Sequence, residues 1–318
     1  MCVHITFETQ SQTVTDKMSI DNKLIKCCSN NYHYDPVNNL DFVNYITTKN
    51  IRLAWGLDSI KYDYIKDMIN IAVYFEEPNF LIFHDIDNCK DNYDIKLTLC
   101  KYTAKEFNNK YANDNKRCIN TYFPVDEKLL KDNLWNKYNY DLGCDIPHWK
   151  CHNVIYTGHE ISPFIMDIKK LIINYNNYKI DMPTYMTKMD IYLHSKIAIV
   201  HNLLFINNDD VLNNIKHKLP EFNYDKYKNI PQLKSRVFEA ASSQCIILCY
   251  KDDFNVIEDY FTKGEDFIYF NSIEHLDNLI KKILSDYNNY AYLGLNAFNK
   301  WKNNYTLRHY CDKYINIY

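Results

Sequence analysis

The chain has 318 residues, 47% of them hydrophobic, which at ~100 to 200 residues per domain suffices for two domains with a core each. A formal net charge of −3, with Lys and Asp interspersed along the chain, leaves no single-sign stripe for duplex nucleic acid or an anionic membrane. No run approaches the ~18 to 20 apolar residues that span a bilayer, and the N-terminal "MCVHITFETQSQ" lacks the basic start and apolar stretch of a signal peptide, so a soluble cytoplasmic protein is expected.

Short apolar strands alternate with amphipathic segments, the pattern of an α/β fold with parallel sheets. "VHITFE" (3–8), "IRLAWG" (51–56) and "IAVYFEEPN" (71–79) read as strands, the last ending in acid and Pro. After the strand "DIKLTLC" (94–100) a helix is expected near Thr103, with Glu106 completing a capping box, and "RCINTYFPVD" (117–126) closes one Rossmann-like half. The polar, Trp-bearing stretch 126–150 shows no clear period and reads as a linker, which divides the chain at 1–147 and 148–318. "NVIYTG" (153–158) opens the second set, followed by a helix near 161–176 and by helix or strand across "YLHSKIAIVHNLLF" (192–205). Strands at 245–250 and 266–270 follow, with helices near 255–262 and over "SIEHLDNLIKKILSD" (272–286) and helical segments to Tyr318. Ser272 supplies an N-cap to that 272–286 helix, and His275, Leu276, Leu279, Ile280, Ile283 and Leu284 mark its apolar stripe.

Asn, Ile, Lys and Tyr dominate the composition while Gly numbers 5 and Pro 8, a bias that fits an A/T-rich genome such as that of a large DNA virus, a protist or a low-GC bacterium. Rare residues therefore carry the information. Arg occurs only at positions 52, 117, 236 and 308. The 11 Cys are odd in number and form no C-x-x-C pair, so they read as reduced, mostly buried thiols rather than disulfides or zinc ligands.

One of the four Arg stands in "SRVFEAASSQCIILCYKDD" (235–253), three residues ahead of a Glu at the front of an Ala/Ser helix that runs into an apolar strand. Arg236 and Glu239 share a helix face at that spacing. The bland alternative is an exposed ion pair worth a few tenths of a kcal/mol. The stretch from Leu233 to Asp286 resembles the C-terminal half of a GT-B glycosyltransferase, closest to the CgeB-like branch of the group-1 enzymes. The matching positions are Arg236, Phe238-Glu239-Ala240, the strand 245–250, Glu258 with Tyr260, and Gly264-Glu265. The ending Tyr305-Thr306-Leu307-Arg308 is similar to the family's closing helices. Upstream, "HNVIYTGHE" is similar to the first strand and loop Gly of the donor domain, and "IAVYFEEPN" resembles the acid-Pro stretch of the first domain.

The resemblance implies two Rossmann-like domains facing each other across a cleft: 1–147 for the acceptor and 148–318 for a nucleotide-sugar donor, UDP- or GDP-linked by default, with the last helices available to pack back on the first. It implies transfer of the sugar to an acceptor hydroxyl of a glycan, protein or small molecule, with no metal required. Arg236, Gly158, Lys234 and Lys196 are the donor-phosphate candidates and Glu239 the ribose candidate, because a diphosphate favours cations and helix N-terminal amides while ribose hydroxyls favour a carboxylate. Glu76 and Glu77, at the end of a first-domain strand before Pro78, are candidates for a general base toward an acceptor hydroxyl or for binding that acceptor, and His84 and His159 are further cleft candidates.

Two other readings stand beside this one. Asp85 and Asp87 form the Asp-x-Asp arrangement with which a GT-A enzyme holds a divalent metal. Pro231 occupies the position, eight residues before Glu239, where retaining GT-B enzymes carry a second Glu, which favours a GT-B-like binding or assembly module without catalysis and leaves the stereochemistry open. The short first domain leaves two alternatives for the acceptor site, abbreviation or completion by a partner subunit.

Overall fold

A computed structural model describes residues 3–8, 14–20, 23–28, 51–55, 66, 69–74, 93–111, 117–138, 143–158, 162–176, 185–205 and 229–317. The chain divides into two units: Met1–Phe123 with Ile206–Gln232 and Tyr310–Tyr318, and Pro124–Phe205 with Leu233–His309.

The first unit is built on β1 (Val3–Glu8), β2 (Val14–Ile20), β3 (Lys23–Cys28), β4 (Ile51–Trp55), β5 (Ile69–Tyr74), β6 (Ile95–Thr98) and β7 (Arg117–Asn120), in spatial order β2-β3-β1-β4-β5-β6-β7. Every neighbouring pair is parallel except β2 with β3. The hairpin strand β2 and its partner β3 were not among the strands expected from the sequence. Helix α1 (Lys101–Tyr111) links β6 to β7. Its Asn108 accepts from the Cys118 N–H and donates to the Cys118 carbonyl, both at 2.8 Å, so one side-chain amide replaces a missing neighbour on the outer edge of β7. The helix begins two residues ahead of the expected Thr103. Thr98 Oγ1 accepts from the Cys100 N–H at the strand end, and Thr103 lies buried inside the helix, its hydroxyl without a partner among the described residues, so Thr103 is not the cap.

The second unit opens where a linker was expected. Asp126 Oδ1 accepts from the N–H groups of Lys128 and Leu129 and caps α2 (Glu127–Leu130), which runs on through a π-helical turn at Lys131–Trp135. The widened turn breaks the 3.6-residue period, which is why the stretch looks structureless in sequence. Trp135 from this turn packs against Phe298 and Trp301. Four parallel strands follow in spatial order β13-β12-β9-β8: β8 (His152–Ile155), β9 (Ser195–Val200), then, after β10 (Leu203–Phe205) and the first unit's β11 (Asn229–Pro231), β12 (Ile246–Tyr250) and β13 (Phe267–Phe270). Helices α3 (Pro163–Ile173), α4 (Tyr185–His194), α5 (Ser235–Ser242), α6 (Ile273–Ser285), α7 (Tyr287–Asn304) and α8 (Leu307–Tyr314) complete the chain. The helix expected near 255–262 is a short 3₁₀ turn at Val256–Asp259.

The core of this unit joins Val154, Ile197, Ile199, Ile246 and Leu248 of the sheet to Ile165, Ile168 and Ile172 of α3 and Leu276, Ile280 and Ile283 of α6. The α6 residues are the apolar stripe read from the sequence, and Ser272 Oγ accepts from the His275 N–H as its cap. Helix α5 ends on Gln244, at φ 54°, whose side chain accepts from the Gly143 N–H and donates to the Cys144 carbonyl. Gly294 of α7 passes so close that an added Cβ would lie 2.8 Å from the Gln244 carbonyl oxygen. These contacts fix the turn that feeds α5 into β12. The α/β class with Rossmann-like parallel sheets, expected from the alternation of elements, is the class observed. Cys100, Cys118, Cys144, Cys151, Cys245, Cys249 and Cys311 are free thiols, and no described helix is long and apolar enough to cross a membrane.

Candidate functional site

In open parallel sheets, ligands meet the carboxyl ends of the strands. At those ends in the second unit, β8 delivers Tyr156, Thr157 and Gly158, β9 delivers His201 and Asn202, and α5 starts beside them. Asn202 Oδ1 accepts from the Lys234 N–H at 3.0 Å, which ties the end of β9 to the N-cap of α5. That cap has no side-chain hydrogen bond, and the Val237 N–H turns back to the Lys234 carbonyl at 3.2 Å, so this end presents the N–H donors of Ser235 and Arg236.

Arg236, the second residue of α5, donates from Nη1 to Tyr156 Oη at 2.9 Å and to His201 Nε2 at 3.0 Å. Its guanidinium lies over the Tyr156 ring, 5.0 Å from the centroid. Arginine has no acceptor to offer, so His201 Nε2 accepts from it, while Nδ1 lies 3.5 Å from the Leu203 N–H. Burial holds His201 well below the ordinary imidazole range, and the charges of Arg236 and Lys234 reinforce this while a backbone hydrogen bond with Leu203 opposes it. Burial also pushes the Tyr156 hydroxyl up, against the pull of Arg236. The guanidinium is therefore oriented by two neutral groups. Among the described residues it has no carboxylate partner, and Nη2 and Nε are uncommitted.

Gly158 closes this group. Its φ is +156°, and a Cβ there would lie 2.8 Å from Tyr156 Oη and 3.0 and 3.1 Å from the two terminal nitrogens of Arg236. Any side chain would displace the guanidinium, so the close approach requires glycine.

One helical turn further, Glu239 is completely buried. Its Oε1 accepts from Lys188 Nζ at 2.7 Å across 51 residues of sequence, while Oε2 has no hydrogen-bond partner among the described residues. Lys188 is itself 8% exposed, and its Nζ stands 5.0 Å from the centroid of the Tyr185 ring. Burial first, then the Glu239 charge, push the hydroxyls of Tyr185 and Tyr192 well above the ordinary tyrosine range, so both are neutral. The Tyr192 hydroxyl is paired with Thr157 Oγ1 at 2.8 Å, whereas that of Tyr185 has no partner among the described residues. The exposed Arg236–Glu239 ion pair considered as the bland alternative does not exist.

Of the residues singled out in the sequence, the structure brings together Gly158, Arg236 and Lys234, with Glu239 on the same helix. Lys196 is elsewhere: it is the second residue of β9, at the amino end of the sheet, with Nζ 5.5 Å from the Tyr287 ring centroid, so strand direction separates it from the others. Glu76, Glu77, His84, Asp85, Asp87 and His159 lie outside the described residues. Glu258 accepts from the Tyr269 hydroxyl at 2.8 Å, and Tyr260 packs edge-on to Phe238 and Tyr305. Tyr156, His201, Lys188 and Tyr192 were not singled out. The usable signal was position, since Tyr156 and His201 are the first residues past two neighbouring parallel strands.

Residues 184–316 match a family model described as glycosyl transferase-like, a span that contains Lys188, His201, Lys234, Arg236 and Glu239. No curated protein matches the chain. Among solved structures, sucrose-phosphate synthase from Thermosynechococcus elongatus is similar at 9% identity and a TM-score of 0.47, over 96% of this chain and 85% of that one. Anabaena Alr3699/HepE in complex with UDP and glucose is similar at 8% identity and a TM-score of 0.44, over 85% and 78% of the two chains. The pneumococcal O-GlcNAc transferase GtfA in complex with UDP and GlcNAc is similar at 10% identity and a TM-score of 0.40, over 86% of this chain but 56% of its own length.

Proposed function

We propose that the protein is a GT-B glycosyltransferase whose second unit holds a nucleotide-diphosphate sugar and whose first unit takes the acceptor. The observation that carries this reading is the pairing, within one turn of α5, of a guanidinium without a carboxylate partner and a buried carboxylate with one unpartnered oxygen, both among the described residues. A nucleoside diphosphate answers both: its phosphates meet Arg236, Lys234 and the first-turn amides of α5, while a ribose hydroxyl donates to Glu239 Oε2. Gly158 leaves the backbone room to approach the phosphates. The match over 184–316 supports the same class, and the pattern Arg236, Phe238-Glu239-Ala240, Gly264-Glu265 supports its CgeB-like branch.

In this reading the bond between the sugar's anomeric carbon and the diphosphate oxygen breaks as the acceptor oxygen bonds that carbon. The charge developing on the diphosphate meets Arg236, Lys234 and helix amides, a preorganised set that calls for no metal. The acceptor proton passes to a base, the role assigned to Glu76 or Glu77.

A thermal-shift panel of UDP, GDP, CDP and dTDP, with and without Mn²⁺, tests the donor site. A ligand at 100 times its dissociation constant adds ~2.7 kcal/mol, enough to raise the melting point by several degrees. A shift without metal from one of these nucleotides is expected. A shift only with Mn²⁺ would transfer the assignment to Asp85 and Asp87, and none at all would favour a non-catalytic binding module.

A further inference from the structure

We propose that Lys188 is a positioning residue of the donor site: it holds Oε1 of Glu239 so that Oε2 stays open to a ribose hydroxyl, and the preference for a ribonucleotide depends on it. This rests on the donor-site reading above. The two side chains come from different helices, α4 and α5, and meet at 2.7 Å with Glu239 fully buried and the Lys188 side chain 10% exposed.

A buried pair that serves stability alone has its remaining lone pairs satisfied by further hydrogen bonds. Here one carboxylate oxygen is left without a partner among the described residues, and the Tyr185 hydroxyl in the same cluster is left open as well. Tyr185 lies one turn before Lys188 on α4 and places its ring against the ammonium, which steadies the long lysine stem. Tyr192, the other hydroxyl within the field of Glu239, is already taken by Thr157.

The choice of lysine matters. An ammonium is a compact point charge that occupies one oxygen, whereas a guanidinium at the same place forks across both. Lys188 therefore neutralises the buried carboxylate without covering the oxygen that the ligand needs. Arginine there would keep the charge and lose the vacancy.

The test measures the affinity of the intact chain for UDP or GDP, whichever binds, and for its 2′,3′-dideoxy counterpart. Wild type is expected to favour the ribonucleotide by at least about tenfold, the scale of one hydrogen bond to a charged group. Lys188→Gln and Lys188→Arg are expected to bring the two ligands within about threefold, by loss of ribonucleotide affinity. A role confined to folding would weaken both ligands equally and leave the ratio unchanged, and that outcome overturns the inference, as does the absence of a preference in wild type. If Lys188→Gln does not fold, Lys188→Arg decides, because it keeps the charge pair. Failure of wild type to bind either nucleotide would instead remove the donor-site reading itself.

Discussion

The second unit holds a cation near each end of its four-stranded sheet, Lys150 buried and Arg236 half-buried, and the two are treated in opposite ways. At the amino ends, Lys150 is 5% exposed, and its Nζ donates to the carbonyls of Ser243 and Tyr192 and lies 3.7 Å from Cys245 Sγ. At the carboxyl ends, Arg236 meets, among the described residues, a phenol and a neutral imidazole, and no carboxylate. Burial pulls the Lys150 pKa down, with Cys245 opposing it, and the hydrogen-bond partners of its ammonium come from the fold itself. The contrast teaches where to look for binding: a charge whose partners are all supplied by the fold serves the fold, and one oriented by neutral groups awaits an external partner.

The Lys188–Glu239 pair offers the sharpest way to break that distinction, because it sits at the binding end yet is buried like a structural pair. Glu239→Ala should destabilise the protein by about 3 to 5 kcal/mol by stranding the ammonium, read as a lowered urea midpoint. The double replacement Lys188→Met with Glu239→Met should recover most of that loss while leaving donor binding abolished. Recovery of both properties would make the pair purely structural.

Lys150→Met comes next: with two carbonyls orphaned it should cost about 1 to 3 kcal/mol of stability. Gly158→Ala should weaken donor binding by about 1 to 2 kcal/mol, since its Cβ must push the guanidinium aside at an unfavourable φ. Calorimetric affinity with the melting point measured in parallel separates that loss from a folding defect.

The smallest effect is a pH dependence. His201 has a folded-state pKa depressed below its unfolded value near ~6.5, so below that pH the unfolded chain binds the extra proton and stability falls as pH drops toward the folded value. Denaturation midpoints at several pH values between 7.5 and 5.5 should fall more steeply for wild type than for His201→Gln, a difference of about 1 kcal/mol per pH unit at most. Parallel slopes would show that His201 is not held neutral by this site.

Local signals made part of this legible in sequence. Ser272 with the stripe of α6, the apolar run of β12, and the Arg236–Glu239 spacing are each written within a few residues. What sequence could not supply is partnership across distance: Tyr156 reaches Arg236 over 80 residues, and Lys188 reaches Glu239 over 51. Each comes from a residue type so abundant here that composition hides it, with 29 Tyr in the chain. Lys196 failed for a related reason. Its charge suggested a phosphate contact, but a parallel strand carries its two termini to opposite edges of the sheet. Irregular backbone was the other blind spot, as the π-helical turn after α2 shows.

The most direct test is calorimetric titration of Arg236→Met and Lys150→Met with the nucleoside diphosphate that shifts the wild-type melting point most. The account predicts that Arg236→Met loses about 1.5 to 3 kcal/mol of donor affinity with its melting point nearly unchanged, because Tyr156 and His201, 3.1 Å apart, pair with each other, while Lys150→Met melts earlier and binds as wild type does. Wild-type affinity in Arg236→Met would contradict it.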